Sequence, residues 1–192
     1  MADELTSLTK IDTTTLFIGG TSVSSTPAEL NILDGATFDV NEANRALDVS
    51  ARLIDHTSAS LTITAASHAS RIISLNRAAG VAVTLPAATA TGNIYTFIIA
   101  TTVTSNTTTI SAASASDAFD GSTFTMQDND VDGTLSMWKA DAGDDTITMN
   151  GTTTGGFKGT KIEVIDGETG FFTIHAWGIG SGTLATPFSA AV

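Results

Sequence analysis

The chain has 192 residues, enough for one β domain with a real core plus a short extra segment. Hydrophobic residues make up 42 % and charged ones only 15 %, with Thr, Ser, Ala and Gly filling the difference, a balance that favours pleated sheets over helices. The 8 Lys+Arg stand against 20 Asp+Glu, a net charge of -12 that disfavours nucleic acid and anionic membranes as partners, and with no cysteine there are no disulfides or thiolate metal sites.

The N-terminus, Met1-Ala2-Asp3-Glu4-Leu5, lacks a basic and an apolar leader region, and no apolar run reaches the roughly 18 residues of a spanning helix, so a soluble chain made in a cytoplasm is expected. Residues 1–52 read as an extended arm. It opens with a β-prone run, residues 13–18, closed by Gly19-Gly20. Thr26 then stands as a helix cap before Pro27, with Glu29 three residues on and Leu30, Ile32 and Leu33 as apolar contacts before Asp34-Gly35 ends the turn. A second short helix follows over residues 42–47, capped by Asp39 or Asn41, and Glu-x-Asn recurs in it (Glu29-Leu30-Asn31, then Glu42-Ala43-Asn44). Two copies are too few to bury a core of their own, so they rest on the following domain or on neighbouring chains.

Residues 53–192 read as a β domain. Strand candidates are residues 61–65, 71–76, 81–85, 94–102, 107–112, 122–126, 134–139, 146–150, 161–165 and 171–177. Between them lie turn signals, among them Ala79-Gly80, Asp120-Gly121, Asn150-Gly151 and Asp166-Gly167. Alternation in Val81-Ala82-Val83-Thr84-Leu85 and Thr146-Ile147-Thr148-Met149 predicts one buried and one solvated face, while the more apolar Tyr95-Thr96-Phe97-Ile98-Ile99 predicts a central strand or a subunit contact. Pro86 stops the ladder after Leu85, because proline has no N–H to donate. Short strands without crossover helices point to a mostly β fold, an antiparallel β-sandwich or jelly-roll-like domain behind an arm with two short helices.

No residue set supplies a nucleophile, a base and an orienting group together, so no catalytic site is assigned and no cofactor is expected. Asp128, Asp130 and Asp132 before Gly133 match the first half of a calcium loop, but Lys139 stands where its closing Glu belongs, which makes a solvated acidic turn the simpler reading. A site completed by Asp141, Asp144 or Asp145 is the alternative. His56, His68 and His175 have no ligand spacing; His175 reads as a residue on a sheet face or at a subunit contact. Trp138 and Trp177 read as core or interface anchors, with sugar stacking as the alternative.

The run Thr26-Pro27-Ala28-Glu29-Leu30-Asn31-Ile32-Leu33-Asp34-Gly35 resembles the Thr-x-x-Glu-Leu-Asn-x-Leu-Asp-Gly element of tailed-bacteriophage and prophage structural proteins. Val40-Asn41-Glu42-Ala43-Asn44-Arg45-Ala46-Leu47-Asp48 is similar to the variant that precedes a C-terminal β domain in one group of phage virion proteins, as are Leu75-Asn76-Arg77-Ala78-Ala79-Gly80, Asn150-Gly151-Thr152-Thr153-Thr154-Gly155-Gly156 and the terminal Ala185-Thr186-Pro187-Phe188. The resemblance implies a non-enzymatic virion component. For a chain of this size it implies a capsid decoration (cement) protein on the capsid exterior, a homotrimer whose partners are the major capsid protein and neighbouring copies of itself. A tail fibre, spike or carbohydrate-binding host-recognition module is the alternative. On the cement reading the capsid and subunit contacts are Leu16, Phe17, Ile18, Leu30, Ile32, Leu33, Ala43 and Leu47, apolar positions that the arm cannot bury alone.

Overall fold

The computed structural model describes residues 16–18, 20–23, 52–128 and 133–192. The chain divides into two compact units, residues 1–39 and 40–192. In the first, β1 (Leu16–Ile18) and β2 (Thr21–Val23) form an antiparallel hairpin with Leu16 opposite Val23 and Gly20 between the strands at φ 83°. A left-handed φ of this kind is what a tight hairpin asks of glycine. The two expected helices, with Leu30, Ile32, Leu33, Ala43 and Leu47, lie outside the described residues.

The second unit is built from strands in two sheets. Its elements are β3 (Leu53–His56), β4 (Ser60–Thr62), α1 (Ala65–His68), β5 (Ile72–Leu75), β6 (Ala82–Thr84), β7 (Ile94–Ile99) and β8 (Thr108–Ser111). There follow β9 (Ala118–Gln127), β10 (Leu135–Lys139), β11 (Thr146–Met149), β12 (Lys161–Glu168), β13 (Phe171–Gly180) and β14 (Phe188–Ser189). The larger sheet runs β10-β9-β13-β12-β7-β5-β3 and the smaller β14-β11-β8-β6-β4.

From β3 to β8 the chain alternates between the sheets and winds as three coils. Within the larger sheet β3, β5 and β7 are parallel, and within the smaller β4, β6 and β8 are parallel. From β10 onward the new pairings are antiparallel apart from one: β13 runs parallel to β9 over its whole length. The antiparallel pairing expected from the sequence therefore fails in the first half of the domain. Parallel neighbours need a long crossover, usually a helix. Here a strand of the opposite sheet does that work, so the lack of helices did not forbid parallel pairs. The connections are also not those of a jelly roll, which interleaves two antiparallel Greek keys.

One hydrophobic cluster lies between the sheets. Tyr95, Phe97, Ile162, Phe172 and Ile174 enter it from the larger sheet and Val83, Ile110, Ile147 and Met149 from the smaller. β7 is flanked by β5 and β12, the central place its apolar sequence predicts. β6 ends at Thr84, ahead of Pro86.

Two predicted turns are strand instead. Gly121 lies within β9, at φ 144°, and a Cβ there would come 2.0 Å from the Ile174 carbonyl oxygen of β13. Its glycine serves close backbone approach, not a reversal. Asp166 and Gly167 sit inside β12, where the register to β13 shifts between Ile165 and Glu168. The Asp166 side chain is buried and accepts backbone hydrogen bonds from Thr89 (2.9 Å), Ala90 (2.8 Å) and Thr91 (3.1 Å), and one from the Thr91 hydroxyl (2.5 Å). Burial alone pushes this carboxyl's pKa up, but the donors of Thr91, Ala90 and Thr89 together outweigh it and hold the group below its ordinary value.

Two outcomes follow from these packing constraints. Gly121→Ala lowers stability by about 2 kcal/mol or more in denaturant unfolding, because the new methyl meets backbone that cannot step aside. Asp166→Ala is also destabilising at neutral pH, by about 2–4 kcal/mol. Since the folded-state pKa of Asp166 is depressed, its ionised form stabilises the protein above the unfolded-state pKa, and that stabilisation is lost as the pH falls through the lower folded value. The gap between native and variant stability therefore narrows on acidification below the ordinary aspartate range, as read by unfolding curves across pH.

Candidate interaction surface

In β9 the apolar alternation is inverted. Thr123 and Thr125 are buried, while Phe124 and Met126 point to the outer face, Met126 being 52 % exposed. The neighbouring strands repeat the pattern. In β10, Leu135 and Met137 are exposed and Trp138 packs against the core; in β13, Ala176 is buried and Trp177 is 60 % exposed. A half-buried strand normally does the opposite. The Thr123 hydroxyl even lies buried with no hydrogen-bond partner among the described residues, an unfavourable arrangement that the outward apolar row accompanies.

Register assembles these side chains into one block. Met137 lies opposite Phe124, and Phe124 opposite Trp177; one row along, Leu135 lies opposite Met126, and Met126 opposite Ile179. The Phe124 and Trp177 rings stack with centroids 4.5 Å apart and planes at 11°. Phe124, Met126, Leu135, Trp177 and Ile179 line an open groove of about 390 Å³. Unbranched, polarisable Met side chains adapt to a facing surface, and stacked aromatics supply rigid area, which together suit protein contact.

Polar residues border the block. Lys161 lies opposite Trp177, and the next row reads Lys139, Ser122, His175 and Glu163 from β10 to β12. Lys161 pairs with Glu163 at 3.2 Å, and Lys139 stands 4.0 Å from Asp120. Two positive and two negative side chains thus leave this face near neutrality in a chain of net charge -12. The outer face of the smaller sheet is different in kind: Ser60, Thr62, Thr84, Thr109, Ser111 and Thr148 stand there, small and hydroxylated.

The positions expected to matter fall out as follows. Leu16, Phe17 and Ile18 form β1 in the first unit. Asp130 and Asp132 lie outside the described residues; Asp128 is exposed, and its N–H donates to the Gly180 carbonyl at 2.7 Å. Asp144 accepts from the Asp141 N–H at 2.8 Å, and the buried Asp145 carboxylate accepts from the N–H groups of Ala191 (2.8 Å) and Val192 (3.2 Å). Asp145 therefore ties down the C-terminal residues. His175 is an exposed residue of the sheet face, as its alternation predicts. The two tryptophans part company: Trp138 is directed to the core and Trp177 to solvent.

Comparison with protein-family models, with curated proteins and with solved structures finds no match to this chain. Its functional reading accordingly rests on the geometry of this surface and on the sequence elements of residues 26–50.

The opposite orientations of the two tryptophans predict unequal costs in denaturant unfolding. Trp138→Ala loses roughly 2–3 kcal/mol, below the range for a fully enclosed aromatic because its ring is only partly buried. Trp177→Ala loses about 1 kcal/mol, the worth of an exposed aromatic stack.

Proposed function

We propose that this chain is a non-enzymatic structural protein of a phage particle, a capsid decoration protein that binds the major capsid protein and neighbouring copies of itself as a homotrimer on the capsid exterior. The observation that carries an adhesive role is the inverted alternation of β9, β10 and β13, which spends apolar side chains on an outer face that a solitary soluble domain would leave polar. The phage-like elements over residues 26–50 support the choice of particle.

On this reading the arm, with Leu16, Phe17, Ile18, Leu30, Ile32, Leu33, Ala43 and Leu47, reaches the capsid. Several weak footprints held by one assembly raise its residence on the shell without new chemistry. Binding to the assembled lattice and not to its free subunits stabilises the lattice by mass action.

A host-recognition module is the second reading, favoured by the exposed Trp177 ring. Sugar sites combine such a ring with convergent hydrogen-bonding groups. Here Phe124, Met126 and Ile179 crowd the ring's surroundings, which suits an apolar protein surface better.

Electron microscopy of purified particles tests the proposal: density for the chain over the head at high copy number is expected. Deleting residues 1–50 is expected to empty those positions while the remaining domain still folds. Location at the tail, or glycan binding that Trp177→Ala abolishes, would favour the second reading, and full occupancy without the arm would remove it as the anchor.

A further inference from the structure

We propose that the outer face of β9, β10 and β13 is a self-complementary contact, and that its occupant is the same face of a second copy of this chain. This holds whether or not the chain belongs to a phage particle. Two features of the face select a second copy: where its charges lie, and how little net charge it carries.

Two chains of net charge -12 repel, so a homotypic contact forms most readily where the local charge sums to zero. The apolar block and its border of Lys139, Asp120, Lys161 and Glu163 provide such a place. A two-fold axis in the contact plane, running along the strands between β9 and β13, sends each strand onto its mirror position in the row. β9 then covers the partner's β13, and β10 covers the partner's β12.

Under that operation Phe124 meets the partner's Trp177, and Met126 meets the partner's Ile179. Lys139, at the β10 end of its row, meets the partner's Glu163 at the β12 end, and the same pair forms a second time by symmetry. The central apolar side chains face apolar ones, Lys139 faces an acid, and Met137 lies against the partner's Lys161, whose aliphatic stem it can cover; each contact forms twice, as an isologous interface requires. Face-to-face sheets stack about 10 Å apart with their strands within about 30° of each other, so the sheet twist shifts these pairs without exchanging them.

Sedimentation equilibrium of the purified full-length chain tests the pairing without any particle present, so its failure is separate from failure of the virion reading. The native chain is expected to self-associate with concentration, and Met126→Glu, a change at a side chain 52 % exposed in the single chain, to weaken that step about tenfold or more with little change in melting temperature. Lys139→Glu and Glu163→Lys are each expected to weaken it, and the double variant to recover most of the loss, since only mutual contact between these two positions restores opposite charges across the axis. A chain that stays monomeric at all concentrations, association indifferent to Met126→Glu, or a double variant no better than the worse single one would overturn the proposal. Association lost only on deletion of residues 1–50 would overturn it too and assign self-association to the arm.

Discussion

Ten residues of β9 run parallel to ten of β13, from Phe171 beside Ala118 to Gly180 beside Gln127, and both faces of the domain's most distinctive region depend on that ladder. Its inner side sends Phe119, Phe172 and Ile174 into the core, with Phe119 and Phe172 meeting edge to face at a centroid distance of 6.3 Å. Its outer side stacks Phe124 on Trp177. The ladder closes only because Gly121 lets β9 approach the Ile174 backbone more closely than any side chain would permit. Ladder, core and outer block are thus one arrangement, since a slip of one residue would exchange the faces of every side chain along both strands.

The remainder of the domain presents this ladder. Three coils of alternating strands face the shared core, and β12 joins them to the ladder by pairing with β7 on one side and β13 on the other. Asp166 adds rigidity at that junction. Its carboxylate gathers the backbone donors of residues 89–91 to the end of β12, so a buried charge is matched by hydrogen bonds instead of a counter-ion. At the C-terminus Asp145 does similar work for Ala191 and Val192. Acidic residues that look like candidates for cation binding in the sequence are therefore occupied in part by the protein's own backbone.

If neighbouring copies pair through the outer block, that pairing is compatible with the three-fold assembly proposed for the capsid. A trimer joined through other surfaces would leave one such face on each protomer, and two-fold contacts between trimers would connect them across a shell. On that proposal mass action would favour the filled lattice twice, once at the capsid and once between copies.

Each strand candidate read from the sequence overlaps a strand of the structure, because residue type and turn chemistry are local signals. β3 was not anticipated, since Leu53-Ile54-Asp55-His56 carries no clean alternation; its edge position leaves Leu53 exposed. β14 is two residues long and is held by pairing with β11, a contact invisible in the chain itself. The contact surface was legible only in its ingredients. Phe124 and Met126 alternate with Thr123 and Thr125 as an inward apolar row would, and the structure turns that row outward. Composition and periodicity determined that this chain is mostly β, where its strands fall and that it is acidic, because these follow from the steric and turn preferences of neighbouring residues. Which strands run parallel, which acids bind backbone and which face of β9 meets solvent were decided by tertiary structure alone, because each depends on partners dozens of residues away whose pairing sets the register.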